Sequence, residues 1–274
     1  MIYQPKISVI MGIYNCEATL PQAIDSILAQ TYTNWELVMC EDGSTDGTYS
    51  VAKRYADQYP QKMVLLKNER NMKLSYTLNR CLQAASGELV ARMDGDDLSH
   101  PERFQRQVDF LMEHPDIQLV GTGMRRFDED GYHDVMHPLM NPDSKALLRS
   151  TPFFHATIMT YKSVYDALGG YTTEKRTQRA QDVDLWFRFY AKHFTGSNID
   201  EPLYDVREDE QAIRRRSFKA RIYSIQTRAH GYKILGFPLR WLIRPAIILF
   251  LKGLVPSSVA AWIHKYKMKR KEKA

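Results

Sequence analysis

The stretch "VARMDGDDLSHPE" (residues 90–102) decides how this chain reads. Its lead-in, "ELVARM" (88–93), is mostly apolar and of strand length, and it runs straight into three carboxylates within four positions: Asp94, Asp96 and Asp97. Two unit charges about 5 Å apart repel by roughly 3 kcal/mol at an effective dielectric near 20. A solvated turn relieves that cost, and a bound cation removes it. Carboxylate oxygens in this pattern suit Mg²⁺ or Mn²⁺, hard ions held by one or two protein acids together with phosphate oxygens. The competing reading gives Asp97 or Ser99 to capping the helix that Pro101 opens, with the other acids merely solvated.

Working outward, the first hundred residues alternate strand and helix signals. "KISVIMGIY" (6–14), "WELVMCE" (35–41) and "MVLLK" (63–67) are apolar runs of strand length. Between them, "ATLPQAIDSILAQT" sets Leu20, Ile24, Ile27 and Leu28 at helical spacing, and "TYSVAKRYADQY" and "LSYTLNRCLQAAS" keep a helical period. The pattern predicts an α/β fold, a mostly parallel sheet with helices on both faces. In such sheets ligands sit beyond the carboxyl ends of the strands. The acidic turns "CEDGSTDG" (40–47) and "DGDD" both fall at that edge. Downstream, "HPERFQRQVDFLMEHP" predicts a helix with Phe104, Val108 and Leu111 inward, and "IQLVGTGMRRFDEDGYH" a hairpin. "HATIMTYKSVYDALGGY" predicts a strand, a short helix and a glycine turn; "QDVDLWFRFYAKH" a helix with Leu185, Trp186 and Phe189 on one side; "LYDVRE" a last strand.

Composition bounds the rest. The 274 residues are 44% hydrophobic and 26% charged, an ordinary globular balance. Cys16, Cys40 and Cys81 form no C-x-x-C motif and are odd in number, which fits reduced thiols of a cytosolic protein. The opening "MIYQPKISVIMGIYN" has no cleavage-site pattern of a signal peptide. The net charge of +6 hides an asymmetry: from Gln211 onward there are 16 Lys and Arg against one acid, while the preceding part carries a net −9. The chain therefore divides into a body, 1–210, and a basic helical segment, 211–274.

In the first acidic turn Gly43 is placed to supply a positive φ and Asp46 to cap the next helix. Glu41 and Asp42 end a buried strand and need partners. A carboxylate there can accept from a uracil or thymine N3–H, or from guanine, so Asp42 alone does not choose a base.

Four stretches in this order and spacing, "ISVIMGIYN", "CEDGSTDGT", "RMDGDDLSHPERF" and "AQDVDLWFRF", resemble the family 2 glycosyltransferases of the GT-A fold, inverting nucleotide-sugar enzymes of polysaccharide synthesis. The likeness covers residues 6 to about 207. It implies a Rossmann-like GT-A sheet and assigns roles residue by residue. Asp42 contacts the nucleotide base, and Tyr14 and Asn15 lie in the loop that wraps the nucleoside. Asp94 and Asp96 form the D-x-D pair, Asp94 toward the sugar-nucleotide and Asp96 on the Mg²⁺ or Mn²⁺. Asp182 stands where the family's catalytic base stands, although Gln181 replaces the Glu common before it, and Glu41 replaces a commoner Asp. Asp182 is also a plausible helix N-cap, and the two roles are compatible. Trp186 and Phe189 read as core, and His155 beside "PFF" as structural. Arg207 is a candidate for phosphate with Glu208 and Asp209 as rival partners.

The basic segment has a stretch of only seven residues free of Lys and Arg around "PAIILFL", far short of the roughly 20 that span a bilayer. Trp241 and Trp262 with Arg240, Arg244 and Lys252 suit a basic amphipathic helix lying in a membrane interface, and "KYKMKRKEKA" adds attraction to anionic headgroups. The other reading packs this segment on the body or on a second subunit. No motif accompanies the basic residues that would read nucleic acid. The expected enzyme thus works in the cytoplasm at the inner face of the plasma membrane. It takes a nucleotide-sugar donor, UDP-linked, and a glycan or lipid-linked glycan acceptor, in capsular, cell-wall or other surface polysaccharide synthesis. Two rivals stand beside it. A sugar-phosphate nucleotidyltransferase would carry a Gly-rich loop after the first strand, where "MGIYNCEATL" has one glycine. A catalytically inactive membrane-bound partner protein would bind no nucleotide-sugar.

Overall fold

The computed structural model describes residues 3–208 and 218–254. The amino-terminal half alternates as its hydrophobic periods require: β1 (Ile7–Ile13), α1 (Leu20–Leu28), β2 (Trp35–Glu41), α2 (Thr48–Gln58), β3 (Met63–Lys67), α3 (Leu74–Ala84) and β4 (Leu89–Asp94). A two-residue β5 (Leu98–Ser99) precedes α4 (Arg103–Glu113). The hairpin is β6 (Leu119–Asp128) and β7 (Gly131–Met136), followed by β8 (Met159–Tyr161), α5 (Lys162–Leu168), α6 (Gln181–Ala191) and a long β9 (Gly196–Arg207). Beyond residue 217 come α7 (Phe218–Ile234) and α8 (Ile243–Leu254). The expected boundary at 210 and the terminal "KYKMKRKEKA" with Trp262 lie outside the described residues.

One sheet runs in the order β3-β2-β1-β4-β8-β6-β9-β5, with β7 on β6. The β3-β2-β1-β4 block is parallel throughout. β8 is antiparallel to both β4 and β6, and β6 and β9 pair in parallel. Helices cover both faces. Leu20, Ile24 and Ile27 of α1 and Phe104, Val108 and Leu111 of α4 pack with Ile7, Val9 and Met11 on one side, and Leu28 is partly buried against them. On the other side Leu78 and Cys81 of α3 and Leu185, Trp186 and Phe189 of α6 pack with Ile10, Val38 and Val90. Each such fully buried large side chain contributes about 1.5–3 kcal/mol. Cys40 and Cys81 are buried free thiols, and Cys16 is half-buried.

At the amino ends of the strands, buried Glu36 gathers Lys6 Nζ (2.7 Å), Ser8 Oγ (2.5 Å) and the Ser86 N–H (2.7 Å). Burial opposes its charge, but these donors outweigh it and hold its pKa down at about 2. The opposite end of the parallel block is left for the acids.

α7 lies on α6. Gly231 meets the Phe187 ring so closely that an added Cβ would overlap it. Tyr232 stacks edge-on against Phe187 at 5.8 Å, and Phe237 follows on Tyr232 at 5.6 Å. The first part of the basic segment therefore packs on the body. From Leu239 onward Trp241, Ile243, Ile247 and Ile248 are exposed.

Candidate active site

β1, β2 and β4 end level with one another, Ile13 opposite Glu41 and Gly12 opposite Asp94. β1 lies between β2 and β4, so the carboxyl ends of all three strands border one crevice. Tyr14, Asn15, Asp42, Asp94 and Asp96 all stand on this rim. Asn15 takes φ +48°, a left-handed conformation that Asn tolerates better than most residues. Its N–H donates to Ser44 Oγ (3.1 Å), and its Oδ1 accepts from the Thr45 N–H (2.9 Å). The loop after β1 is thereby tied to the loop after β2, and Tyr14 beside it is 45% exposed. Asp46 accepts from the Thr48 N–H (3.0 Å) and hydroxyl (2.6 Å), but it stands one residue before the N-cap of α2, which is Gly47 and not Asp46 as expected.

Asp42 is buried and closely held. Its Oδ1 accepts from Asn68 Nδ2 (2.7 Å) and the Met72 N–H (2.7 Å), and its Oδ2 from the Lys73 N–H (3.0 Å). Gly43 takes φ +69°, and an added Cβ there would lie 2.6 Å from Arg70 C. The sequence asks only for a turn at this point. The structure adds that the turn clamps residues 68–73 onto the rim. A carboxylate offers about four acceptor positions, and three are taken by the protein. Glu41, also buried, accepts from the Ser44 N–H.

The "DGDD" turn separates its three acids. Carboxylate oxygens of Asp94, Asp96 and Asp97 lie within 4.8 Å of one another. Asp94 pairs with Arg92, whose side chain is buried in the strand. Burial opposes the guanidinium charge, and Asp94 more than offsets it, raising the pKa of Arg92. Asp96 is the exposed member. Asp97 does not cap a helix, contrary to expectation: α4 begins at Arg103 with Glu102 as its N-cap, and β5 intervenes. Asp97 is instead buried, with Oδ2 accepting from Tyr204 Oη (2.9 Å) and Oδ1 from the Arg207 N–H (2.8 Å). Burial, then the neighbouring Asp94 and Asp96, push its pKa well above the usual carboxylate range. This donor set fits a hard, oxygen-seeking cation: Asp96 faces outward beside Asp94, while Asp97 is spent on β9.

Asp182 lies in the first turn of α6 and is not its cap, which is Ala180. Burial raises its pKa, against the first-turn N–H groups of Val183 and Asp182 itself and the charges of Arg228 and Arg92. The carboxyl is thus a stronger base than an ordinary aspartate. His155 is held by Tyr171 (Nε2 to Oη, 2.8 Å), which in turn meets Tyr165 Oη at 2.8 Å. Burial and Arg92 push the pKa of His155 far below its ordinary value, so it is neutral and structural. Glu208 pairs with Arg126 (3.2 Å) rather than Arg207. Asp209 lies outside the described residues.

The family model "Glycosyl transferase family 2" matches residues 8–177. The chain belongs to glycosyl transferase family 2. EpsE of Bacillus subtilis (strain 168), named as a glycosyltransferase, is 46% identical over 98% of this chain and 96% of its own length. An Escherichia coli enzyme named UDP-Gal:alpha-D-GlcNAc-diphosphoundecaprenol beta-1,3-galactosyltransferase is 29% identical over 97% of this chain and 98% of its own. Among solved structures, Staphylococcus aureus TarS 1–349 in complex with UDP-GlcNAc aligns with a TM-score of 0.61 at 20% identity, over 84% of this chain and 70% of that one. The mannosyltransferase PcManGT from Pyrobaculum calidifontis, in complex with GDP-Man and Mn2+, aligns at 0.62 and 19%, over 97% and 81%. The fold is that of the GT-A glycosyltransferases, and the chain is a glycosyltransferase.

Two residues beside the candidate site residues of this family 2 enzyme escape a motif reading. Arg92 had a visible signal, a cation inside an apolar strand. Arg228 had none, because its place beside Asp182 depends on how α7 docks. Its Nη1 donates to Leu147 O (2.8 Å), which fixes the side chain there.

Proposed function

We propose that this enzyme transfers a sugar with inversion from a nucleotide-sugar, UDP-linked, to a glycan or lipid-linked glycan during bacterial surface-polysaccharide synthesis. One observation carries the reading. Acids suited to a cation stand at the carboxyl end of β4, while a separate carboxyl, Asp182, stands in the first turn of α6. A direct displacement at the anomeric carbon needs this division of labour. Asp182 takes the proton of the acceptor hydroxyl as that oxygen attacks, and the nucleoside diphosphate departs from the opposite face. Asp96 would hold Mg²⁺ or Mn²⁺, and Asp94 would meet the sugar-nucleotide. A divalent ion there supplies Lewis-acid stabilisation of the leaving diphosphate. Tyr14 and Asn15 flank the nucleoside, and Asp42 shapes the base pocket, offering its last acceptor position to the base.

The support for donor and metal is that aligned structures carry UDP-GlcNAc, or GDP-Man with Mn2+. The name of the E. coli relative supports a lipid-linked acceptor. A lipid acceptor gives the basic segment a use at the inner face of the membrane. Trp241, Ile243 and Ile247 line an open groove of about 620 Å³ together with Arg149, Arg240 and Arg244. No helix among the described residues is long and apolar enough to cross a membrane. A thermal-shift screen of UDP-, dTDP- and GDP-sugars with Mn²⁺ tests the reading, since a ligand bound only by the folded state raises the melting temperature. UDP-sugars are expected to stabilise. Stabilisation by none of them would remove it, and pyrophosphate release from NTP and a sugar 1-phosphate would replace it with nucleotidyl transfer.

A further inference from the structure

Arg207 occupies a place that the strand pattern does not announce. It ends β9, and its backbone N–H is bonded to Asp97 Oδ1 (2.8 Å), which fixes it against the acidic turn. Its side chain turns toward the same turn: Nε donates to the Asp96 carbonyl oxygen (3.0 Å), and Nη2 donates to Gln22 Oε1 of α1 (2.7 Å). The guanidinium also lies over the Phe127 ring at 4.4 Å. These partners are a carbonyl, an amide and an aromatic face, and none of them neutralises a cation. The two side-chain bonds use two of the five N–H donors of a guanidinium. The group is half-buried, held on three sides and adjacent to the residue that would hold the metal.

We infer that Arg207 is a diphosphate-binding residue, contacting the terminal phosphate of the nucleoside diphosphate as it leaves. This rests on the nucleotide-sugar reading above. A diphosphate held by a divalent ion on Asp96 would lie beside the acidic turn, where Arg207 is already anchored to the Asp96 carbonyl. Arginine suits the task because its planar fork matches two phosphate oxygens at once and never loses its charge. The cost of ordering the side chain is met before the ligand arrives, since Gln22, Phe127 and the Asp96 carbonyl hold it in place.

The prediction concerns a ratio. Titrations of the full-length protein with UDP and with UMP, both with Mn²⁺, give two dissociation constants whose quotient reports the terminal phosphate. In Arg207→Gln the preference for UDP over UMP is expected to fall about tenfold, with UMP affinity changed less than twofold. Arg207→Lys, which keeps the charge without the fork, should recover part of that preference. Gln22→Ala, which loosens the anchor without removing the cation, should lower it only slightly. If Arg207→Gln does not melt cooperatively, Arg207→Met keeps the stem on Phe127 and is read in the same way. An unchanged preference, or equal losses for UDP and UMP, overturns the assignment. A wild-type protein that binds none of UDP, dTDP and GDP overturns the nucleotide-sugar reading itself, a different result from binding with an unchanged preference.

Discussion

At the scale of the residue, the proposed mechanism rests on carboxyls in different surroundings, Asp182 on α6 and Asp94 with Asp96 on the rim. Asp182, the proposed base, has a raised pKa because burial outweighs the N–H groups and arginines that favour its charge. The sign of its pH effect follows. The base acts when ionised, so kcat/KM is full above its pKa and falls as pH drops through it. Because that pKa is raised, the fall begins above the range of an ordinary aspartate, near 3.9. Asp182→Asn should keep nucleotide-sugar binding, lose about 10²–10⁴-fold in transfer and show no acid limb. Steady-state kinetics across pH check this, and near-normal turnover would refute the base assignment. Asp42, Asp94 and Asp96 were legible in the sequence because acids at the ends of apolar strands break the hydrophobic pattern. The fate of Asp97 was not legible. Its partners Tyr204 and Arg207 arrive 107 and 110 residues later, by a pairing of β9 that no local period encodes.

At the scale of the element, α6 carries the proposed base and is anchored by Asp184, two residues beyond Asp182. Buried Asp184 accepts from Thr172 Oγ1 (2.6 Å), Arg176 Nη1 (2.6 Å) and Arg188 Nε (2.7 Å). Burial alone would raise its pKa, but these partners lower it. Its contribution to stability is therefore present above the unfolded pKa and lost as pH falls from there through the lower folded value. Asp184→Asn should cost about 3 kcal/mol at neutral pH and flatten the acid limb of a melting-temperature profile, as denaturation followed from pH 7 down to about pH 2 would show. A loss below about 1 kcal/mol would mean that the cluster does not fasten α6. The contact of α6 with α7 is as specific. Gly231→Ala drives a methyl into Phe187, and overpacking of this kind costs about 1–3 kcal/mol. Since Arg228 rides on α7, the same variant should alter the pH limb set by Asp182. An unchanged limb would detach α7 from catalysis. The elements themselves were readable from period and length in the first half, as in β1, β2, β4, α1 and α4. The insertion of antiparallel β8 between β4 and β6, and the parallel β6–β9 pair, were not readable. Strand partnership between distant segments is settled by packing, not by the residues of either strand.

At the scale of the whole molecule, the charge asymmetry reads as orientation. In the proposed function the acidic body opens its rim to a metal and an anionic donor. The basic segment first packs on the body through Tyr232 and Phe237, then turns Trp241, Ile243, Ile247 and Ile248 outward with Arg240 and Arg244. The composition signalled basic and apolar together. It could not divide the segment into a part buried against the body and a part that turns large apolar side chains outward, because both carry the same residue types. Arg149 belongs to the body and joins the exposed face, so the surface is composite. Each arginine near an anionic bilayer contributes about 1 kcal/mol, so three amount to roughly a hundredfold in partition, weakened by salt. A chain ending at residue 238 keeps Phe237 on Tyr232, so it should melt like the full chain. It should nevertheless fail to sediment with vesicles containing phosphatidylglycerol. Full-length protein should sediment with them at low salt and be released as salt rises. Arg149→Glu in the full chain should weaken sedimentation severalfold, because the body's share of the surface is reversed in sign. Equal sedimentation of the shortened and full chains would show that membrane contact, if made, is made elsewhere.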